Sequence, residues 1–228
     1  MLNAILFPSS YFNKNQVDED LKKEYDAAKG TGLYNEIVIF SYEDWFHNEK
    51  IVINTYPENK ITAVYRGWMM LPEQYEKFYY SLKENNIELV TTPDEYKLFH
   101  VFPNIYEYIK TDTPKTLIYP NGTEIDLPTI KKTFGRFMVK DYAKSVKGTD
   151  FPIFFENSVS QEEFKSWMNK FYEYRGKLFT GGICIKEFVD LKRYGKAKNE
   201  YRVFYINGEI ATISRKLWST RFCTNSTN

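Results

Sequence analysis

An apolar strand that runs directly into a lysine-rich turn, residues 137–148, is the feature that most constrains this 228-residue chain. Phe137, Met138 and Val139 are bulky and apolar, a pattern typical of a buried strand. The turn then supplies charge, hydroxyl and amide donors, and a glycine that lets the backbone come close, which together suit a polyphosphate. Its residues of interest are Lys140, Lys144, Ser145, Lys147 and Gly148. The stretch predicts a phosphate site, with a solvated basic hairpin turn as the alternative, and it matches neither a P-loop nor a G-x-G-x-x-G pattern.

Composition limits the classes of function. The formal net charge is +1 and aromatic residues make up 18% of the chain, which favours a folded protein without a general attraction to nucleic acid or membranes. Two histidines and two distant cysteines, Cys184 and Cys223, speak against zinc, haem and a disulfide framework, whereas a magnesium site needs only carboxylates. No signal peptide and no bilayer-spanning segment is found, so a cytoplasmic location is expected.

The first half of the chain predicts an α/β layer. Apolar strands at 4–7, 36–40 and 87–90 alternate with helices at 18–29, at 72–83 and from Thr92, where a capping box begins the helix. Residues 48–56 and 61–65 are predicted to form a hairpin. His100 is predicted to be a hydrogen-bonded core residue rather than a catalyst. Prolines between 103 and 120 indicate a domain boundary near 110–115, giving domains 1–110 and 111–228.

Three strand ends carry polar residues with two interpretations each. Arg66, next to Gly67 and Trp68, is placed either to grip a carboxylate or phosphate or to stack on the tryptophan. The strand after Gly181-Gly182 ends in Lys186-Glu187, where the carboxylate accepts a hydrogen bond from an amine or a ribose hydroxyl, or simply forms a charge pair at the strand edge. Further on, Asn207-Gly208 predicts a hairpin between strands 199–206 and 209–214.

The order of these pieces resembles the ATP-grasp superfamily, whose members clamp ATP between two α+β subdomains. The pieces are 139–148, 185–189 and 200–209, and upstream the residues 65–69, 92–96, His100 and 113–116 resemble a bacterial and phage clade with a pre-ATP-grasp domain. The resemblance implies an N-terminal α/β pre-ATP-grasp domain. An ATP-grasp domain with a mixed, largely antiparallel sheet follows it.

The resemblance also implies roles for single residues. Lys140 would reach the nucleotide phosphates, and the loop after it would fold over them. A hinge would hold adenine and ribose, two arginines would face the phosphates or the acyl intermediate, and Arg66 would line the acceptor-substrate face. The loop is Lys144, Ser145, Lys147 and Gly148, the hinge is Lys186, Glu187, Phe188 and Val189, and the arginines expected to be catalytic are Arg202 and Arg215.

The activity implied by the resemblance is an ATP-dependent ligase that joins a carboxylate to an amine or thiol through an acyl phosphate, with Mg²⁺. The family's magnesium carboxylates are not found, and they are expected beyond Asn228. The ATP-grasp domain is therefore expected to be C-terminally truncated and to turn ATP over poorly alone. An open sheet edge near 209–214 would invite a homodimer or a complementing segment. The alternative is a non-catalytic nucleotide-binding or protein-interaction module. Single-stranded nucleic-acid binding is a weaker third interpretation.

Overall fold

The computed structural model describes residues 2–194, 197–198, 200–206 and 208–215. Their strands form two four-stranded sheets, followed by two hairpins. No helix in these residues is long and apolar enough to cross a membrane.

The first sheet is parallel, with strand order β2-β1-β3-β4. Its strands are β1 (Leu2–Pro8), β2 (Tyr34–Phe40), β3 (Ile61–Tyr65) and β4 (Ile87–Leu89). The accompanying helices are α1 (Lys22–Thr31), α2 (Tyr42–Asn48), α3 (Pro72–Glu84) and α4 (Pro93–His100). The predicted periodicity of α3 is confirmed, because Tyr75, Phe78, Tyr79 and Leu82 are buried on one side of it.

Helices cover both faces of this first sheet. On one face, side chains of α2 and α3 such as Trp45 and Phe78 pack with Leu6 of β1. On the other, Ala28 of α1 packs with Ile5 and Phe7. The alternation of strand side chains between two apolar layers is what a buried parallel sheet requires.

The predicted hairpin between 48–56 and 61–65 is wrong. β3 instead pairs in parallel with β1 and β4. The segment before it follows the edge of β2 for a single bridge, between Phe40 and Ile53. Asn54 holds it there, since its side chain accepts from the Ile39 N–H at 2.8 Å and its own N–H donates to the Ile39 carbonyl at 2.9 Å. Short-range alternation was therefore edge packing and not a hairpin.

The second sheet is antiparallel, with strand order β5-β8-β6-β7. Its strands are β5 (Thr116–Pro120), β6 (Arg136–Asp141), β7 (Phe155–Glu156) and β8 (Gly182–Glu187). The connecting helices are α5 (Phe102–Ile109), α6 (Leu127–Thr133) and α7 (Gln161–Arg175). The core beneath this sheet contains Phe137, Val139, Ile183 and Ile185, packed against side chains of α6 and α7. Because strand side chains alternate, their neighbours Lys140, Cys184 and Lys186 stand on the opposite face.

Two antiparallel hairpins complete the described chain. They are β9 (Arg193–Tyr194) with β10 (Ala197–Lys198), and β11 (Tyr201–Ile206) with β12 (Glu209–Arg215). The strand pairing predicted from the Asn207-Gly208 signal is confirmed, although Asn207 itself lies outside the described residues. Within those residues no third strand pairs with β12. Association through that edge stays a prediction. The fold class, an α/β unit followed by a largely antiparallel α+β unit, is confirmed.

Candidate nucleotide site

Two lysines meet on the face of the second sheet that turns away from its core. In the register of β6 and β8, Lys140 is the partner of Cys184, and Lys186 is the partner of Met138. Both lysines line a cleft of about 60 Å³ together with Phe102, Asp141, Tyr142, Ala143 and Cys184. The structure thus brings together two lysines that are 46 positions apart in the sequence (186 − 140). One ends the strand of the opening motif and the other belongs to the predicted hinge.

The charges of this lysine pair are poorly compensated. Burial lowers the pKa of Lys140, and the nearby Lys147 lowers it further, while Cys184 acts in the opposite direction. Burial likewise lowers the pKa of Lys186, with Lys140 adding to the effect. Neither lysine forms an ion pair with a carboxylate among the described residues. A half-buried cation without a counter-ion is unfavourable. Two of them side by side form a site that an anion would stabilise.

Lys186 is held in place by two neutral contacts. Its Nζ donates a hydrogen bond to Thr113 Oγ1 at 2.8 Å. It also lies 4.7 Å from the centre of the Phe102 ring, a cation–π distance. These contacts orient the ammonium group and leave its charge unneutralised.

Asp141 organises the loop that follows Lys140. Its carboxylate is fully buried, and Oδ1 accepts from the N–H groups of Ala143 (2.8 Å) and Lys144 (2.5 Å). Oδ2 forms an ion pair with Arg175 Nε of α7 at 2.6 Å. This anchor was not predicted from the sequence. Its signal was an aspartate placed directly after a strand, where a carboxylate bonds to amides further along the chain.

The loop places its basic residues outward. Lys144 and Lys147 are exposed, whereas Val146 between them packs against the core below the sheet. Ser145 is half-buried. Gly148 has φ +75°, a left-handed conformation that glycine adopts without strain, and nothing lies within 4 Å of where its Cβ would be. The predicted flexible cover for phosphates is thus a short loop pinned at Asp141 and Val146.

Tyr142 explains the glycine pair at the start of β8. A Cβ on Gly181 would lie 2.3 Å from Tyr142 Cδ2, and one on Gly182 would lie 2.3 Å from the carbonyl oxygen of Tyr119. The tyrosine ring therefore rests directly on the glycine backbone. Its carbonyl also accepts from the Phe102 N–H at 2.7 Å, which ties α5 to the loop. Cys184 lies beneath, and burial raises the pKa of its thiol to about 12, so it is a neutral wall of the cleft.

The predicted hinge continues the sheet beyond β8. The N–H of Glu187 donates to the Lys115 carbonyl at 2.9 Å, and that of Phe188 donates to the Arg136 carbonyl at 3.0 Å. The Phe188 ring stacks on Phe154 at 4.4 Å, with the Arg136 guanidinium 5.1 Å from its centre. Two hinge N–H groups are therefore already used in the protein. Glu187 and Val189 are exposed.

The predicted arginines lie on other elements than the lysine cleft, and none of them lines it. Arg202 is exposed on β11, where it pairs with Ser214 of β12. Arg215 ends β12, and its side chain lies outside the described residues. Arg66 follows β3, and its Nε donates to Glu24 Oε2 at 2.7 Å instead of stacking on Trp68. His100 is half-buried and stacks on Tyr96, with 4.8 Å between ring centres.

The described residues supply no ready magnesium site. Among them, no group of three or more histidine, cysteine, aspartate or glutamate side chains is placed to hold a metal ion. We therefore derive no step through a metal. The cleft does fit nucleotide phosphates, because its half-buried lysines lack counter-ions.

Comparison with known families identifies the second half of the chain. Residues 127–221 match a family model that describes an ATP-grasp domain, the third family of its clade. These residues belong to the ATP-grasp superfamily. The matched ATP-grasp segment contains Lys140, the loop after it, the hinge and Arg202. A search of curated proteins gave no match to the sequence.

Solved ATP-dependent ligases share the fold at low sequence identity. D-alanyl-alanine synthetase A from Vibrio cholerae O1 biovar eltor is 11% identical, with a TM-score of 0.52 over 94% of this chain and 66% of its own. D-alanine–D-alanine ligase from Bacillus anthracis, solved with ATP, is 12% identical, with a TM-score of 0.51 over 84% of this chain and 60% of its own. The chain thus spans under two thirds of the length of these two relatives.

Proposed function

We propose that the chain binds ATP in the lysine cleft, with its phosphates against Lys140 and Lys186. The observation that carries the proposal is that these two half-buried cations have no carboxylate partner among the described residues. In this proposal the exposed Lys144 and Lys147, the half-buried Ser145 and the left-handed Gly148 close over the phosphates. Charge-assisted hydrogen bonds from two lysines would supply most of the affinity.

The hinge would hold the nucleoside. With the N–H groups of Glu187 and Phe188 already bonded, adenine would be recognised by other backbone groups between Lys186 and Val189. The Glu187 carboxylate is exposed and available to a ribose hydroxyl. The Phe154–Phe188 pair offers an apolar wall beside it.

We further propose that the reaction is ligation of a carboxylate to an amine through an acyl phosphate. Support comes from the ATP-grasp family match and from the fold shared with D-alanine–D-alanine ligases. In such a transfer the protein positions the phosphates and balances their charge. Lys140 and Lys186 would do this here, and Arg202 and Arg215 would approach from the β11–β12 hairpin. Mg²⁺, when bound, would bridge the phosphates. Non-catalytic nucleotide binding is the alternative.

The domain limits stay at 1–110 and 111–228. Strands of the first sheet end at Leu89, and those of the second begin at Thr116, with α5 between them. The carboxylate substrate would then bind to the first domain and ATP to the second.

Titration calorimetry of Lys140→Ala with ATP tests the proposal. We expect the binding free energy to weaken by about 1.5–3 kcal/mol, because a charge-assisted hydrogen bond to phosphate is lost. Lys165→Ala is the matched control, since Lys165 is exposed on α7, across the sheet from the cleft. Equal ATP affinity in Lys140→Ala and the wild type, with both folded, would refute the assignment. ADP release with a carboxylate and an amine present separates a ligase from a binding module.

A further inference from the structure

The first sheet changes its winding direction between β1 and β3. β1 leads into α1 on one face, while β3 leads into α3 on the other. In open parallel sheets this arrangement leaves a crevice outside the carboxyl ends of the two strands, and ligands bind there. In this chain the crevice is bordered by the loop after Pro8 and by the residues after Tyr65.

An exposed ion pair lies at this crevice. The Arg66 N–H donates to the Leu6 carbonyl at 2.8 Å, which fixes its backbone beside β1. Both Nε and Nη2 of its guanidinium contact one oxygen of Glu24, Oε2. Among the described residues no hydrogen bond engages Arg66 Nη1 or Glu24 Oε1. The two side chains are about half exposed, so a cationic donor and an anionic acceptor stand side by side with capacity left.

Aromatic and apolar side chains are exposed on both borders of the crevice. The loop after β1 is closed by a bridge between Ser9 and Val17, and its tip carries Tyr11 and Phe12, which are 69% and 94% exposed. Their rings meet edge to face at 5.0 Å. After β3, Trp68 and Met69 are also exposed. Large apolar side chains held at the surface next to a ligand crevice indicate an interaction site.

We propose that this crevice binds an α-amino acid with an aromatic or large apolar side chain. The ligand carboxylate bonds to Arg66, its ammonium group bonds to Glu24, and its side chain packs against the exposed aromatic residues. An exposed ion pair contributes little to stability, so a zwitterion displaces or bridges it at low cost. As the substrate of the ligase the amino acid rests on the proposed function, but its binding is measured without ATP.

The experiment is titration of the full 228-residue chain with phenylalanine, phenylpropionate and phenethylamine. The two analogues lack the amine and the carboxylate, respectively. Each should bind at least about tenfold more weakly than phenylalanine, because one charge-assisted contact is lost. In Arg66→Gln the preference for phenylalanine over phenethylamine should disappear, and in Glu24→Gln the preference over phenylpropionate. Phe12→Ala should weaken all three, and a side chain this exposed is not needed for folding.

The ion pair between Lys77 and Glu49 provides the matched control. Both of its side chains are 58% exposed and it lies on the same sheet's helical layer, so Lys77→Gln should bind phenylalanine like the wild type. Absence of phenylalanine binding, equal binding of the three compounds, or an unchanged preference in Arg66→Gln would each overturn the proposal. A separate ATP titration of the same preparation reports on the nucleotide site alone, so failure of one proposal is distinguishable from failure of the other.

Discussion

Single residues decide the shape of the lysine cleft. Gly181 and Gly182 leave the space that the Tyr142 ring fills, and that ring lies beside the buried thiol of Cys184. Lys140 and Lys186 keep half-buried charges on the same wall. The cleft is therefore polar where a phosphate would bind and tightly packed elsewhere, and substitutions at these positions have separable effects.

Replacing Gly182 with alanine should destabilise the protein by about 3 kcal/mol, the upper range for overpacking. The new Cβ would lie 2.3 Å from the backbone oxygen of Tyr119 and 2.8 Å from Tyr142 Cζ, so strand β5 or the ring must shift. Gly135→Ala is the control, because nothing lies within 4 Å of its Cβ position. Urea unfolding of both variants measures the difference, and equal stability would contradict this account of the glycine pair.

ATP binding at alkaline pH should take up protons. The pKa values of Lys140 and Lys186 are lowered in the free protein, so the lysines begin to lose protons below the ordinary value of 10.5. A bound phosphate favours the charged form and raises these pKa values again. Calorimetry at about pH 9 in two buffers of different ionisation enthalpy measures the uptake. It should decrease in Lys140→Met, and proton release on binding would contradict the placement of the phosphates.

At the scale of elements, the loop after β6 is joined to α7 by one buried ion pair. Asp141 ends the strand, and Arg175 ends the helix that covers the sheet's core face. Their side chains are 0% and 11% exposed. Strand, loop and helix are thus fixed to one another next to the lysine cleft, and the loop keeps its shape without a ligand.

Asp141→Asn should lower the free energy of unfolding by about 3 kcal/mol, because it leaves the buried Arg175 charge without its partner. It should also loosen residues 142–148, which faster amide hydrogen exchange would reveal. Asp150→Asn serves for comparison, since Asp150 pairs with Lys170 at the surface and should cost less than about 1 kcal/mol. If the two variants prove equally stable, Asp141 is not the anchor of the loop.

At the scale of the whole molecule, α4 and α5 connect the first sheet to the nucleotide loop. His100 ends α4 and stacks on Tyr96, and the Phe102 N–H of α5 donates to the Tyr142 carbonyl. Burial lowers the pKa of His100, the Lys144 cation lowers it further, and Asp141 acts in the opposite direction. A neutral imidazole at this junction makes the contact between the two halves sensitive to pH.

Lowering the pH from about 7.5 to about 5.5 should reduce the melting temperature. The folded-state pKa of His100 lies below its unfolded value of about 6.5, so the unfolded chain binds the proton more readily in this range. The associated stability is complete above the unfolded pKa and is lost as the pH falls. His100→Asn should show a flatter profile by differential scanning calorimetry. An unchanged slope in that variant would mean that other groups dominate.

The sequence alone determined the elements with strong local signals. Apolar periodicity fixed α3, alternation around Lys140 fixed β6, and Asn207-Gly208 fixed the β11–β12 pairing, because each depends on residues close in the chain. It failed at 48–56, where alternation of the same kind reflects packing along an edge. The fold class and the ATP-grasp membership of residues 127–221 were also predicted, from the order of motifs.

Only the tertiary structure decided which of the polar residues meet. Lys140 and Lys186 share a cleft because β6 and β8 are neighbours in register, which no local pattern encodes. Asp141 and Arg175 are paired across 34 positions, and Arg66 and Glu24 across 42. Such contacts depend on strand order and helix placement, which are set by burial of the whole core. Local spacing could therefore propose the chemistry of each residue but could not choose its partner.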